Sequence, residues 1–229
     1  MTYRVVWFKR DLRLQDHAAL AHAARQGPVL CLYIVEPDLW AQPDAALQHF
    51  EFVRESLLEL QHALHTLGGS LQVRAGNAVQ VLATLHAQAP FAELVAHEET
   101  GNAFTFERDL QVGAWCRNQG VAWTEMAQFG VVRRLKSRNT WQARWEAHMA
   151  APQAVLPDLR FFNSSENSGP EVMAPQPGLQ HPAAQGLHAL NVAIPELATR
   201  SARATISMLG FSNQALRAHL REAFASAYG

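Results

Sequence analysis

Charged side chains are concentrated at two points where the sequence predicts that a β-strand ends. These candidate binding residues are Lys9, Arg10 and Asp11 after the first strand and His97, Glu98 and Glu99 after the fourth. Because parallel strands present their carboxyl ends at one edge of a sheet, both groups are expected on the same rim. Such a rim can bind a polar ligand, and Glu36, at the end of the second strand, is a further candidate.

Each candidate also has a structural interpretation. The first charged run can be a solvated loop in which Asp11 pairs with a nearby arginine and Asp16 caps the following helix. Glu98 and Glu99 can orient a polar ligand or can be exposed charges. His97 at a strand end is more typical of a hydrogen-bonded structural residue than of a metal ligand, and no second His or Cys stands at ligand spacing. The sequence therefore predicts no metal site and identifies no catalytic residue.

Familiar catalytic and nucleotide-binding motifs do not occur in the chain. The first strand is not followed by G-x-G-x-x-G, and neither G-x-x-x-x-G-K-[ST] nor G-x-S-x-G is present. These motifs cradle phosphates or expose a nucleophile at the end of a strand. Their absence argues against a dinucleotide oxidoreductase, a P-loop enzyme and a serine hydrolase.

The first 126 residues alternate between short apolar runs and longer segments of helical period, which is typical of parallel strands joined by helical crossovers. The predicted strands are Tyr3 to Phe8, Pro28 to Val35, Ser70 to Ala75, Glu93 to Ala96 and Val121 to Met126. Between them, apolar residues at spacings of three and four predict a helix from Phe50 to Leu67, and Asn77 is the expected cap of another. The pattern predicts an α/β domain with a five-stranded parallel sheet.

Beyond Phe129 this alternation ends. We predict a domain over residues 1–130, then a basic connecting helix over 131–152, where Trp141 and Trp145 are one turn apart. The two rings are expected to pack against the sheet domain, with stacking on a base or chromophore as the alternative. Residues 153–186, rich in Pro, Gly and Ser, are predicted to be a linker. Residues 187–229 are predicted to be a short helical tail with Ser212 as a cap.

The composition is that of a globular protein. Of 229 residues, 48% are hydrophobic, and 19 Lys and Arg balance 20 Asp and Glu to a net charge of −1. This balance argues against nucleic-acid binding by bulk charge. Two cysteines without C-x-x-C spacing support neither a disulfide framework nor a zinc site. With no apolar run of membrane-spanning length and no signal peptide, the chain is expected to be cytoplasmic.

The run VVWFKRDLRLQDHAAL resembles the opening signature of the DNA photolyase and cryptochrome family. Two later segments, LLELQHALHTLGGSLQVRAGNA and HEETGNAFTFERDLQVGAWCRNQGVAWTE, are similar to the following helices and strands of that family. QFGVVRRLKSRNTWQARWEAHMAAP resembles the stretch that leaves the domain in bacterial members. The resemblance covers residues 1 to about 152.

The resemblance implies a Rossmann-like α/β domain with helices on both faces. In family members this domain binds an antenna chromophore, which is a folate, a deazaflavin or a flavin such as FMN. An antenna bound by this chain would use the strand-end residues, which are candidates by their position: Lys9, Arg10, Asp11, Glu36, His97, Glu98 and Glu99. Folate-binding members carry Asn-Glu where this chain has Phe104 and Thr105, so a flavin-type antenna or an empty pocket is expected instead.

In the family, a larger helical domain binds FAD and repairs pyrimidine dimers flipped out of DNA, or signals. Residues 153–229 show none of the expected flavin-domain pattern, so the chain is expected to be truncated, to bind no FAD and to be inactive in repair alone. The resemblance implies that only the intact family enzyme contacts DNA. The basic segment is expected to lie near the DNA or domain interface of a complete member, with charge pairing to the acidic helical domain as the alternative. The alternatives are a stand-alone module that binds a small ligand or a protein, and an antenna subunit complemented by a separate flavin-domain chain.

Overall fold

The computed structural model describes residues 2–133 and 135–162. Its five strands are β1 (Arg4–Phe8), β2 (Val29–Val35), β3 (Leu71–Ala75), β4 (Glu93–His97) and β5 (Ala122–Met126). Its helices are α1 (Ala18–Gln26), α2 (Pro37–Trp40), α3 (Leu47–Thr66), α4 (Ala78–Gln88), α5 (Ala103–Gln119) and α6 (Trp141–Ala150). A short 3₁₀ turn, Arg138–Thr140, precedes α6. The predicted tail, including Ser212, lies outside the described residues.

The strands form one parallel sheet in the order β3-β2-β1-β4-β5. β1 is central: Trp7 is opposite Leu32 of β2 on one side and Ala96 of β4 on the other. The chain winds outward from β1 to β3 and then returns to the other side of β1 to form β4. This reversal of direction lies between β1 and β4, and a crevice opens at such a point above the carboxyl ends of the strands.

Helices cover both faces of the sheet because successive side chains of a strand point to opposite sides. Val6 and Phe8 pack into a core with residues of α1 and α3. Val5 and Trp7 pack into a second core with residues of α4 and α5. All seven residues of β2 are buried, as expected for a strand enclosed on both faces. The predicted α/β fold with a five-stranded parallel sheet is confirmed.

Two details differ from the sequence-based expectation. His17, not Asp16, caps α1: its side chain accepts a hydrogen bond from the backbone N–H of Leu20. Asp16 instead has a φ of 50°, in the left-handed region that short polar residues tolerate. It can therefore complete a tight turn before the helix rather than cap it.

The segment after α6 contacts the α/β domain before it leaves the described ranges. Val29 donates a backbone hydrogen bond to Arg160 and accepts one from Phe162, at 2.8 and 2.9 Å. The ring of Phe162 stacks on Tyr3 with centroids 3.7 Å apart. Residues 160–162 therefore form an isolated parallel bridge beside the start of β2, and the first part of the predicted linker includes a stretch that packs on the domain. Within the described ranges, no helix combines the length and apolar composition needed to cross a membrane.

Candidate functional site: the crevice at the carboxyl ends of the strands

A cavity of about 600 Å³ lies above the carboxyl ends of β1 and β2. The loops after β1 and β4, helices α2 and α3 and the first half of α5 enclose it. Its lining combines aromatic rings with charged groups: Trp7, Phe8, Tyr33, Trp40, Phe52, Lys9, Arg10, Arg13, Glu36, Glu99 and Arg108. A concave site of this size, with mixed aromatic and polar walls, suits a small-molecule ligand.

Arg108 of α5 organises the charges on one side of the cavity. Its guanidinium donates hydrogen bonds to Glu36 at 2.7 Å, to Glu99 at 2.5 Å and to Asp109 at 2.9 Å. The Arg108 side chain is 5% exposed, and its carboxylate partners are similarly buried. Because an arginine presents several donors in a rigid planar fork, one residue can orient three carboxylates from different parts of the chain.

Lys9 and Arg10 extend this network from the end of β1. The ammonium of Lys9 lies 3.0 and 3.1 Å from the two carboxylate oxygens of Asp109 and 4.7 Å from the centroid of Trp7. Arg10 donates a 2.7 Å hydrogen bond to Glu99, and its side chain is 59% exposed. Lys9 is therefore fixed in the wall of the crevice, whereas Arg10 keeps most of its surface in contact with solvent.

Burial and neighbouring charges set the ionisation of the network. Burial raises the pKa of Glu36 to about 6, because the favourable charge and hydrogen bonds of Arg108 only partly offset the loss of solvent. Burial alone would lower the pKa of Arg108, but the surrounding Glu36, Glu99 and Asp109 raise it above its ordinary value. Arg108 therefore stays charged at every accessible pH, while Glu36 can change its protonation in mildly acidic solution.

A second buried cluster lies behind the crevice. Asp11 accepts hydrogen bonds from the backbone N–H of Lys9 at 2.8 Å and from His97 Nδ1 at 2.5 Å. His17 Nε2 lies 2.9 Å from the same Asp11 carboxylate. Burial would raise the pKa of Asp11, but the hydrogen bonds and charges of His17 and His97 hold it well below its usual range. The sequence suggested that His97 has no histidine near it, but the turn before α1 brings His17 beside it.

The geometry of this cluster argues against a metal centre. Asp11, His17 and His97 each offer one ligand atom, and these atoms lie within 4.8 Å of one another. However, His17 Nδ1 accepts the N–H of Leu20, so the lone pair of the neutral ring is on Nδ1 and the proton is on Nε2. A protonated Nε2 cannot bind a metal ion. The cluster is therefore one carboxylate with two hydrogen-bond donors, the N–H of Lys9 and His97 Nδ1, and the ring of His17 beside it.

The structure separates the candidate binding residues into two groups. Lys9, Arg10, Glu36 and Glu99 line the cavity. Asp11, His97 and Glu98 are not in its lining: Asp11 and His97 belong to the cluster behind it, and the backbone N–H of Glu98 bonds to Met126. The charged strand ends therefore lie at one edge of the sheet, as expected, but only four of the seven candidate residues line the cavity.

Sequence reasoning missed Arg108 and Asp109, which join the charged groups of β1 to the loops after β2 and β4. A signal for them was present. Together with Val112 and Cys116 they occupy the buried face of α5, at spacings of three and four residues. Two adjacent charged residues on the apolar face of a helix indicate a buried ion-pair network.

Trp141 and Trp145 do not form the predicted packing stripe against the sheet. They are 42% and 40% exposed, and their rings stack on each other with centroids 6.1 Å apart. Trp145 also lies against Gly130, where an added Cβ would be 2.2 Å from the indole. Within the described part of the chain, α6 has no buried residue.

Comparison with known proteins gives one family. The DNA photolyase family model matches residues 4–136. The chain is 31% identical over 114 residues to cryptochrome DASH of Gloeobacter violaceus, which covers 47% of the chain and 23% of that relative. It is 46% identical over 70 residues to the deoxyribodipyrimidine photo-lyase of Salmonella typhimurium, covering 30% of the chain and 15% of the relative. The matches thus span less than a quarter of the length of these curated relatives.

Solved structures show the same fold. The alignment with the class III photolyase of Agrobacterium tumefaciens covers 72% of this chain and 36% of the photolyase chain, with a TM-score of 0.58 and 22% identity. The alignment with a photolyase of Sulfolobus tokodaii, solved with two FAD molecules, covers 70% of this chain and 37% of the photolyase chain, with a TM-score of 0.55 and 21% identity. Because the family model matches residues 4–136, more than half of the chain, the chain belongs to the DNA photolyase family.

Proposed function

We propose that the crevice binds a planar, light-absorbing antenna chromophore, either FMN or a deazaflavin. The observation that carries this proposal is the cavity of about 600 Å³, because its walls offer aromatic faces beside oriented charges. Tyr33 and Phe52 provide ring surface for a flat heterocycle. Arg10 and Arg13 are cations near the opening and suit a ligand with an anionic substituent.

Two further points support a flavin-type ligand. Folate-binding members of the family carry Asn-Glu where this chain has Phe104 and Thr105, and this difference disfavours a folate. The Sulfolobus tokodaii photolyase was solved with two FAD molecules and is described as implying a novel light-harvesting cofactor. We therefore propose FMN or a deazaflavin ahead of a folate.

The test is a fluorescence titration of the purified 229-residue protein with FMN, a deazaflavin and a reduced folate. We expect quenching of FMN or deazaflavin fluorescence at a stoichiometry of one. Phe52→Ala should weaken binding about two- to tenfold, since an aromatic contact contributes about 0.5–1.5 kcal/mol. Phe106→Ala is the matched control, because Phe106 is also an exposed phenylalanine but lies outside the cavity. Equal effects of the two substitutions would reject the site.

Charged residues give a second test of the site. Lys9→Ala should weaken binding because Lys9 lines the cavity. Glu98→Ala should leave affinity unchanged, because Glu98 lies outside the lining. The opposite order of effects would move the ligand to the other end of the rim, towards β5.

We further propose that these 229 residues do not repair DNA alone and act with a helical FAD-binding domain or chain. In support, the described residues form only an α/β domain, and the stretch that matches each of these curated relatives is less than a quarter of the relative's length. The test is an absorption spectrum and a light-driven dimer-repair assay on the purified chain. Stoichiometric FAD together with repair would contradict this proposal.

A protein-interaction role is the second candidate, and one surface favours it. Large apolar side chains are exposed after β5 and on α6: Phe129, Val131, Trp141, Trp145 and Met149. Groups of this kind mark surfaces that a partner covers. Mixing the protein with a separately produced flavin-binding helical domain and measuring its elution volume tests this role. Trp141→Ala combined with Trp145→Ala should abolish any complex.

A further inference from the structure

Helix α1 has an unusual cap. The N-caps of α4 and α5 are Asn77 and Asn102, whose amide oxygens accept backbone N–H groups. The cap of α1 is His17, whose Nδ1 accepts the N–H of Leu20 at 2.9 Å. An asparagine cap has the same acceptor at every pH, whereas a histidine loses its acceptor when Nδ1 is protonated. The α1 cap is therefore the only one of these three that protonation can remove.

The surroundings of His17 make a second proton costly. Its side chain is fully buried, and its ring lies 4.4 Å from that of His97 and 4.8 Å from that of Phe8. Asp11 is the one carboxylate between the two histidines, and Arg13 adds positive charge from the loop. Burial lowers the pKa of His17, and His97 and Arg13 add to this effect against the opposing attraction of Asp11.

The same residues hold the loop that borders the crevice. Asp11 accepts the backbone N–H of Lys9 through its side chain and that of Arg13 through its carbonyl, at 2.8 and 2.7 Å. This loop supplies Arg10, Leu12 and Arg13 to the cavity lining. A change at His17 therefore reaches the ligand site through one short segment.

We propose that His17 is an acid-sensitive latch, whose protonation frees the first turn of α1 and the loop from Lys9 to Asp16 and so weakens ligand binding in the crevice. Only the last step rests on the proposed function. When Nδ1 gains a proton, it presents a donor to the donor N–H of Leu20, and the cationic ring of His17 then competes with His97 for the carboxylate of Asp11. Both changes loosen the loop that carries Arg10 and Arg13.

Amide hydrogen exchange followed by NMR tests the latch without a ligand. Protection factors, corrected for intrinsic exchange, are compared at pH 7.5 and pH 5.5. The amides of Leu20 and Arg13 should lose protection at least fivefold, since a cap contributes about 1 kcal/mol. The amide of Thr105, bonded to Asn102, is the internal control and should not change. Equal behaviour of Leu20 and Thr105 would overturn the latch, and loss at Leu20 alone would overturn its connection to the loop.

His17→Asn separates capping from titration. Asparagine is a preferred N-cap and does not titrate, so the variant should keep the Leu20 amide protected at both pH values. The ratio of FMN dissociation constants at pH 5.5 and 7.5 is then compared between wild type and variant. This comparison cancels the titration of FMN and of Glu36, which both proteins share. A larger ratio in wild type supports the proposal, and equal ratios contradict its last step. No FMN binding at either pH would contradict FMN as the ligand, while the exchange result still decides whether the latch exists.

Discussion

The crevice is bordered by two clusters that satisfy buried carboxylates in different ways. In the first, Lys9 and Arg108 face the carboxylates of Glu36, Glu99 and Asp109. In the second, Asp11 is surrounded by two histidines and a backbone N–H. The first cluster places the permanently charged guanidinium of Arg108 beside its carboxylates, whereas the second surrounds one carboxylate with two imidazole rings and a backbone N–H. The first cluster forms the wall of the site, and the second holds the loop at its border, where the proposed protonation of His17 acts.

The largest expected effect comes from removing the centre of the first cluster. Arg108→Leu leaves three buried carboxylates with only Lys9 and the cations at the rim, so unfolding should become easier by about 3–5 kcal/mol. Arg117→Leu in the same helix is the matched control, because Arg117 is exposed, and it should change stability by less than about 0.5 kcal/mol. Urea denaturation at pH 7 measures both values. Similar small effects would show that Arg108 is not the electrostatic centre of the crevice.

The second cluster should be less costly to break. Asp11→Ala leaves the N–H of Lys9 and the ring N–H of His97 without their acceptor and removes the carboxylate 2.9 Å from His17 Nε2. Each unsatisfied buried donor costs about 1–3 kcal/mol, but a histidine can shift its proton, so the expected loss is about 3 kcal/mol. Asp38→Ala, at an exposed position of α2, should cost less than about 0.5 kcal/mol. A loss as large as that of Arg108→Leu would remove the contrast between the clusters.

These clusters also show where sequence reasoning succeeds. The alternation of Val5, Val6, Trp7 and Phe8 predicts a strand buried on both faces, because burial at period two depends on local residue types. The rim of charged strand ends follows from parallel topology alone. His17 beside His97 could not be predicted, because they are distant in sequence and meet only when β1 packs beside β4. Arg108 was within reach, since helical spacing places it on the buried face of α5.

The two clusters should change the free energy of unfolding with pH in opposite directions. Because the pKa of His17 is lowered on folding, the unfolded state binds the proton more readily below pH 6.5. The stability that His17 contributes is therefore complete above pH 6.5 and is lost as pH falls through its folded pKa. Relative to His17→Asn, the wild type should lose about 1 kcal/mol between pH 7.5 and 5.5 in urea titrations. Parallel pH profiles of the two proteins would refute this role of His17.

Glu36 should give the smallest effect at neutral pH and the opposite sign. Its folded pKa is raised from 4.5 to about 6, so its contribution is present below pH 4.5 and is lost as pH rises through 6. Replacing it with glutamine removes this loss, while Glu99 and Asp109 still neutralise Arg108. Glu36→Gln should therefore be within about 1 kcal/mol of wild type at pH 7, and its stability relative to wild type should be about 2 kcal/mol more favourable there than at pH 4.5. Glu107→Gln, at an exposed position of α5, should show no such change with pH. If Glu36→Gln behaves like Glu107→Gln, Arg108 compensates the burial of Glu36 completely, and the charged wall of the crevice is insensitive to mild acid throughout.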